Sequence, residues 1–183
     1  MLSEIFKLFW KTVERKDERR INSQTPPTEI EQFCDIQYID DGLWQHRLDV
    51  YSKSGKLSHR PVIIDIHGGG WMYGTKEINK NYCLVLAQND YVVVNINYRL
   101  APDFSVADQL RDCFFAFKWV STNIEKYGGD LNNVFVTGDS AGGFLAAYSA
   151  LLNSSEKLRK IFGVTESGLE FRACGLTSPV CFM

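Results

Sequence analysis

A serine in a short glycine-rich stretch is the residue whose surroundings best suit chemistry. The stretch NVFVTGDSAGG places Ser140 between Gly138 and Gly142, after an apolar run and before a segment rich in Ala and Leu. A G-x-S-x-G pattern between a strand and a helix is typical of a nucleophile elbow, where the serine stands on a sharp turn. The competing hypothesis is a glycine-rich turn without chemistry. The strand before the pattern and the helix after it favour the elbow.

The residues beside the serine have predicted roles of their own. The helix that follows Ser140 directs its N-terminal N–H groups at the site, and the N–H of Ala141 is a natural donor to an oxyanion. Neighbouring residues on a tight turn point in different directions. We therefore expect Asp139 to support the turn or its surroundings and not to serve as the acid of a catalytic triad.

A second glycine-rich segment, HGGGW, follows the apolar run PVIIDI. Backbone N–H groups of glycines approach a negatively charged oxygen closely because no side chain interferes. An HGGG segment is the usual partner of the elbow in lipases and esterases. We predict an oxyanion hole from Gly68, Gly69, Gly70 and Ala141, and we expect His67 to order its own loop by hydrogen bonding.

Three other interpretations of these motifs compete. Gly68, Gly70 and Gly74 loosely imitate a dinucleotide phosphate loop, with Arg99 as a contact to a 2′-phosphate, but the G-x-G-x-x-G pattern fails because residue 73 is a tyrosine. His67 as general base is the second alternative. The segment 154–157 fits the S-x-x-K pattern of serine–lysine enzymes, but no S-D-N or K-T-G follows it, which indicates a polar helix end.

The elements around these motifs predict an α/β fold. Two runs of strand-forming residues, 34–40 and 44–51, flank Asp41-Gly42, which suits a tight hairpin turn. Buried strands are predicted at 61–66, 91–97 and 133–138 and a last strand at 171–180, with helices at 76–89, 105–127 and 141–152 between them. This order predicts a mostly parallel sheet with helices on both faces. The last strand would lack a covering helix and leave an exposed face and edge.

Four motifs together carry a family resemblance. HGGGW, INYRLAP (96–102), KYGGD (126–130) and GDSAGG (138–143) occur in this order and spacing. The chain from about residue 35 onward resembles the α/β-hydrolase carboxylesterases of the hormone-sensitive lipase and arylacetamide deacetylase-like group. Asp103 stands where many members have Glu.

The resemblance implies a fold, an activity and site residues. It implies Ser140 as nucleophile, N–H groups of Gly68–Gly70 and Ala141 as oxyanion hole, and small esters with short or medium acyl chains as substrates, with no metal and no cofactor. It also implies two parts of the chain: 1–32, a cap helix and linker, and 33–183, an α/β-hydrolase domain truncated after the strand that follows the elbow.

The family's acid and histidine come from loops after later strands. All three histidines, His46, His59 and His67, precede Ser140, whereas an α/β-hydrolase has the order Ser, acid, His. We therefore expect the triad Asp and His to be missing and the chain alone to be nearly inactive. The alternatives are a binding protein that has lost catalysis, as in the gibberellin receptor, which resembles this family, and a fragment without function.

Composition and charge argue against several other classes of protein. The formal net charge of −2 gives no electrostatic support to a nucleic-acid partner, and five cysteines without a C-x-x-C pair favour neither a disulfide framework nor a zinc site. Free thiols and the lack of a signal peptide indicate a cytoplasmic protein. No apolar run is long enough to span a membrane.

Near the N-terminus, apolar residues at helical spacing predict an amphipathic helix that packs on the domain, with a membrane-surface helix as the alternative. These residues are Ile5, Phe6, Phe9, Trp10 and Val13.

Overall fold

The fold is built on one mixed sheet of six strands. The structure is a computed structural model that describes the backbone of residues 2–55 and 59–181 and the side chains of residues 9–55 and 59–181. The strands are β1 (Ile30–Gln37), β2 (Arg47–Lys53), β3 (Arg60–Ile66), β4 (Val92–Ile96), β5 (Gly129–Asp139) and β6 (Phe171–Thr177). Their order across the sheet is β1-β2-β4-β3-β5-β6, antiparallel as far as β4 and parallel from there to β6. The predicted mostly parallel sheet is confirmed.

Five α-helices accompany the sheet. They are α1 (Leu2–Asn22), α2 (Lys80–Gln88), α3 (Val106–Asn123), α4 (Ser140–Asn153) and α5 (Glu156–Phe162), with short 3-10 helices at Lys76–Asn79 and Ile124–Tyr127. Residues of α3 and α4 pack against one face of the sheet, and residues of α2 pack against the other. Helices on both faces are thereby confirmed. Among the described helices, none combines the length and the apolar character that a membrane span needs.

The central strands of the sheet are buried on both faces, which fixes the positions at which they end. All five residues of β4 are buried; Val92, Val94 and Ile96 belong to the core on the α3 side, and Val93 belongs to the cluster with α2. Apolar side chains on both faces remove area from water on each side, which stabilises a rigid strand. The parallel neighbours β3 and β5 therefore end at fixed positions, with Ile66 level with Gly138.

The hairpin prediction was right in pairing and wrong in turn length. Strands β1 and β2 pair antiparallel, but they are joined by residues 38–46 and not by a two-residue turn. The Asp41 carboxylate accepts the N–H of Leu43, and the Tyr38 N–H donates to the carbonyl of His46. These local bonds satisfy the backbone of a longer connection, so a tight turn is not needed.

The predicted helix end at residues 154–157 is in fact the junction of two helices. Ser154 caps the C-terminus of α4, and the Ser155 hydroxyl accepts the N–H of Leu158 as the N-cap of α5. The sequence prediction missed α5, which has only seven residues and ends at Gly163 with φ 64°. Serine at an N-cap explains this part of the S-x-x-K pattern without chemistry.

Helix α1 contacts the loop that follows β3. The Trp10 ring stacks on Tyr73 with centroids 5.3 Å apart, and Arg20 donates to the carbonyl of Ile78 at 3.2 Å. Ile5 and Phe6, which the sequence places on the apolar face of this helix, lie outside the described side chains, as residues 1, 182 and 183 lie outside the described backbone. The boundary between a cap in 1–32 and a domain in 33–183 stays a prediction.

Strand β6 lies at the edge of the sheet. Five of its seven residues are exposed, and Leu176 is 44% exposed. The prediction of an uncovered edge is confirmed for the described residues.

The start of α3 provides a test of local stability. The Ser105 hydroxyl accepts the Asp108 N–H, and the Asp108 carboxylate accepts the Ser105 N–H, which makes a capping box. We expect Ser105→Ala to lower the free energy of unfolding by about 1 kcal/mol, measured by urea denaturation. Ser121→Ala, in the same helix but bonded only within it, is the control and should change stability by less than about 0.5 kcal/mol. Equal effects would contradict the capping role.

Candidate active site

Ser140 stands on a strained turn between β5 and α4. Its φ is 50°, in the left-handed region that a residue with a side chain rarely adopts, while the preceding Asp139 is extended with φ −110°. Such a conformation costs about 1–2 kcal/mol and persists only where the surroundings enforce it. The turn projects a partly exposed serine from the carboxyl edge of a buried sheet, as a nucleophile elbow does.

The glycines on either side of the serine allow two backbone segments to touch. A Cβ on Gly142 would overlap the carbonyl oxygen of Ile66 and lie 2.5 Å from that of His67. A Cβ on Gly138 would lie 2.5 Å from the carbonyl group of Gly142. The start of α4 therefore rests directly on the end of β3.

The HGGG segment makes a loop of unusual backbone shape at the end of β3. Gly69, Gly70 and Trp71 have φ values of 121°, 59° and 63° in succession. A Cβ on Gly69 would overlap the carbonyl of Tyr73, whose N–H in turn bonds the carbonyl of Gly69 at 3.0 Å. Because β3 and β5 are parallel neighbours in register, this loop and the elbow emerge side by side.

One hydrogen bond joins the elbow to the loop. The Gly68 N–H donates to Asp139 Oδ1 at 2.9 Å. Asp139 occupies the N-cap position of α4, yet its side chain makes no capping bond to that helix. Its carboxylate instead accepts this bond from the neighbouring loop. The Gly68 N–H is engaged by this bond and is therefore not free to bind another acceptor.

His67 is buried beneath the loop. Its Nδ1 donates to the carbonyl of Gly68 at 2.7 Å, and its ring stacks on Tyr98 with centroids 4.4 Å apart. The Tyr98 hydroxyl donates to the carbonyl of His67 at 2.8 Å. Burial lowers the pKa of His67 to about 4, despite the hydrogen bond to Gly68, which raises it. These contacts fit a neutral ring that orders the loop better than a general base.

The other two histidines are placed elsewhere. His46 is buried with Nδ1 2.6 Å from Asp41 and Nε2 3.2 Å from Asp112. Burial lowers the pKa of His46, but the hydrogen bonds to Asp112 and Asp41 outweigh it and raise the pKa above its ordinary value. His59 is exposed ahead of β3.

The structure argues against the alternative of a dinucleotide-binding loop, in which Arg99 would contact a 2′-phosphate. Arg99 donates to both oxygens of Asp112, at 2.6 Å and 2.9 Å, and its side chain is 17% exposed. A guanidinium paired in this two-pronged way is not free to bind a 2′-phosphate. Among the residues that the structure describes, no three His, Cys, Asp or Glu side chains are grouped to hold a metal ion.

Two residues at the site were missed by sequence reasoning. Asp65 lies fully buried near the end of β3, and Asn79 donates to both Asp65 and Asp139 at 2.9 Å. The one local signal is the carboxylate of Asp65 in the otherwise apolar run PVIIDI. Nothing in the sequence pattern near Asn79 marks it.

Comparison with known proteins gives the family. The BD-FAE family matches residues 48–172, more than half of the chain. The chain belongs to the BD-FAE family. Esterase B from Lactobacillus rhamnosis superposes with a TM-score of 0.94 at 34% identity, over 98% of this chain and 57% of that one. This likeness confirms the α/β-hydrolase fold and the resemblance to carboxylesterases.

Relatives of known name agree with this BD-FAE assignment. A versiconal hemiacetal acetate esterase of Dothistroma septosporum is 36% identical over 112 residues, which cover 61% of this chain and 33% of that protein. Carboxylesterase NlhH of Mycobacterium tuberculosis is 34% identical over 113 residues, 61% of this chain and 35% of that protein. The chain thus spans about a third of the length of these two relatives.

The contact between α4 and β3 can be tested by Gly142→Ala. The new methyl group would meet the carbonyl oxygens of Ile66 and His67, so one backbone segment must move. We expect a loss of about 2–3 kcal/mol in the free energy of unfolding, measured by urea denaturation. Gly175→Ala is the matched control, because its Cβ would meet the hydroxyl of Thr137 at 3.1 Å. Similar losses in both variants would contradict the close approach.

The buried His67 predicts a pH dependence. A pKa of about 4 in the folded chain lies below the value near 6.5 of an unfolded histidine, so the unfolded state binds the proton more tightly. The stability from the neutral ring is complete above about pH 6.5 and is lost as the pH falls toward 4. Between pH 7.5 and 4.5 we expect wild type to lose about 2 kcal/mol more than His67→Gln, measured by urea unfolding.

The control for this pH dependence is His59→Gln. It changes an exposed histidine and should follow the wild-type pH profile. Parallel profiles for wild type and His67→Gln would show that His67 is not held neutral by burial.

Proposed function

We propose that this chain carries the nucleophile and oxyanion hole of a carboxylic ester hydrolase. The observation that carries the proposal is the strained Ser140 at the first residue of α4, beside a loop of three successive residues with positive φ. The names of the relatives, all esterases in the comparisons above, support the same reaction. Small esters are the proposed substrates, and the reaction needs no metal or cofactor.

Each residue of the site has a separate proposed role in the reaction. Ser140 Oγ attacks the ester carbonyl carbon, its proton passes to a base, and the carbonyl oxygen becomes an oxyanion. The N–H groups of Gly69, Gly70 and Ala141 stabilise that charge, aided by the N-terminus of α4. The protonated base gives its proton to the departing alcohol as the bond to that oxygen breaks, which leaves an acyl-serine. Water then attacks the acyl carbon and gives a proton to the base, and the base returns that proton to Ser140 Oγ as the acid is released.

Gly68 takes a different part from the other two glycines. Its N–H bonds the Asp139 carboxylate, so we assign it to holding the loop and not to the oxyanion. His67 has the same supporting part from below, through its bond to the Gly68 carbonyl.

The general base of the reaction is proposed to be none of the three histidines in this chain. His46 is held between two carboxylates and His67 by its own loop. A serine without its base retains only the rate enhancement of binding and the oxyanion hole, on the order of 10³-fold over water. This chain alone should therefore hydrolyse esters slowly, and an added base should accelerate it.

Chemical rescue by imidazole tests the proposal. With p-nitrophenyl butyrate, we expect imidazole to raise the rate of the wild-type chain well above that of Ser140→Ala, with saturation in ester, followed by release of p-nitrophenol. The Ser140→Ala rate also subtracts hydrolysis by imidazole itself. A p-nitrophenyl phosphonate ester should phosphonylate Ser140 Oγ with loss of p-nitrophenolate, detected by mass spectrometry of the labelled peptide.

The matched control for this experiment is Ser154→Ala. Ser154 is exposed at the other end of α4, where its hydroxyl donates to the Leu151 carbonyl, so its variant should behave as wild type. Equal imidazole-dependent rates in wild type and Ser140→Ala would overturn the proposal. Thermal stabilisation by an ester without turnover would favour the alternative of a binding protein, and an unfolded chain would favour a fragment without function.

A further inference from the structure

Asn79 joins two carboxylates directly beneath the elbow and the loop. Its side-chain nitrogen lies 2.9 Å from Asp65 Oδ2 and 2.9 Å from Asp139 Oδ1. A primary amide has two N–H donors, so one nitrogen satisfies both acceptors. The three side chains come from different places in the chain: β3, the 3-10 helix Lys76–Asn79 and the end of β5.

The Asp139 oxygen that Asn79 contacts is the one that holds the loop. Oδ1 accepts both the Asn79 amide and the Gly68 N–H, each at 2.9 Å. The other oxygen occupies the space that a side chain at residue 68 would need, since a Cβ on Gly68 would lie 2.5 Å from Asp139 Oδ2. A rotation of the Asp139 side chain would therefore break the bond to Gly68, and the Asn79 amide opposes that rotation.

The turn that carries Asn79 is anchored to the centre of the sheet. Lys76 is 3% exposed, and its N–H donates to Asn97 Oδ1 at 2.6 Å while its carbonyl accepts Asn95 Nδ2 at 2.7 Å. Its ammonium group is 3.0 Å from Asp49, which is 0% exposed. Buried charges that are paired and hydrogen-bonded hold one geometry. Asn79 thus reaches the site from a fixed base.

The surroundings make an unbridged pair of carboxylates unfavourable. Asp65 is 1% exposed, and burial raises its pKa to about 7, with Asp139 adding to the rise and the Asn79 hydrogen bond opposing it. A cavity of about 110 Å³ lies beside the cluster. Its lining residues are Asp65, Asn79, Tyr82, Thr137, Gly138, Asp139 and Thr177. Without the amide, the carboxylates have room to move apart into this space, and the loop would move with Asp139.

We propose that Asn79 is a positioning residue that sets the oxyanion loop through Asp139 and Gly68. The inference rests on the proposed function for its catalytic consequence. Asn79 does not touch the substrate; its amide fixes the carboxylate, the carboxylate fixes the Gly68 N–H, and the following N–H groups of Gly69 and Gly70 are thereby held toward the oxyanion. Preorganised donors of this kind are required because they must not reorganise during the reaction.

Two substitutions at Asn79 test the link in the full chain. Asn79→Ala removes the amide, and Asn79→Asp keeps its shape but places a third carboxyl group against Asp65 and Asp139. The control is Asn81→Asp, two residues away, whose amide contacts Gln24 at an exposed site. We expect native-state hydrogen exchange of the Gly68 amide to become about tenfold faster in both Asn79 variants. Exchange of Val94 in the central strand β4 should be unchanged, and Asn81→Asp should match wild type.

The catalytic arm uses the imidazole-supported hydrolysis of p-nitrophenyl butyrate. We expect kcat to fall about tenfold in the Asn79 variants with KM changed less than twofold, because the donors act on the oxyanion and not on the bound ester. Unchanged Gly68 exchange in the variants would overturn the link itself. Faster Gly68 exchange with unchanged kcat would overturn its part in positioning the donors.

Failure of the proposed function shows in a different measurement. If Ser140→Ala does not lower the imidazole-dependent rate, the reaction assigned to this site is wrong, while Gly68 exchange still reports the bond between Asn79, Asp139 and Gly68. A variant that had merely lost stability would speed the exchange of Val94 as well as that of Gly68, which would also overturn the inference.

Discussion

The bond from the Gly68 N–H to the Asp139 carboxylate connects the two loops on which the candidate active site depends. Strand β3 delivers one loop and strand β5 the other, and parallel register alone brings their ends level. Strand register determines where β3 and β5 end relative to each other, but it does not determine the direction of the N–H groups in the loop after β3. A charge-assisted hydrogen bond of 2.9 Å supplies that direction, since a carboxylate attracts an N–H more strongly than a neutral acceptor does.

The same region shows how backbone contact replaces side-chain packing near the serine. The start of α4 lies on the carbonyl groups of Ile66 and His67, where Gly142 leaves no side chain. Below the contact, the neutral His67 ring and Tyr98 fill the space and bond the loop's carbonyl groups. Above it, Trp10 of α1 covers Gly70, whose added Cβ would lie 2.9 Å from the indole. The loop is therefore constrained from three directions before any ligand binds.

Local signals in the sequence predicted the elements but not their connections. Apolar runs and glycine positions were enough for β3, β4, β5 and the tight turn at Ser140, because burial on both faces and a forced turn leave strong local patterns. The hairpin turn was wrong because Asp41 bonds within a longer connection. Helix α5 was missed because seven residues give too few periodic positions.

Some residues of the candidate site could likewise be predicted from the sequence, and others could not. Ser140 and the glycines stand in contiguous motifs, so their proximity to one another follows from strand order. Asn79 could not be predicted, since its role exists only through contacts with residues 14 and 60 positions away. Tertiary contacts of this length leave no periodicity or spacing for a single sequence to show.

The N-cap of α4 also bears on which amino-acid substitutions the protein can tolerate. Asp139 stands where an aspartate ordinarily bonds its own helix, yet it makes no such bond. The helix forgoes about 1 kcal/mol that a satisfied cap contributes, because the Asp139 side chain bonds none of its first N–H groups. Selection for stability alone would favour a residue that caps α4, and selection for a fixed loop opposes that change. The beginning of α4 is thus a place where improving the fold and keeping the site are in direct conflict.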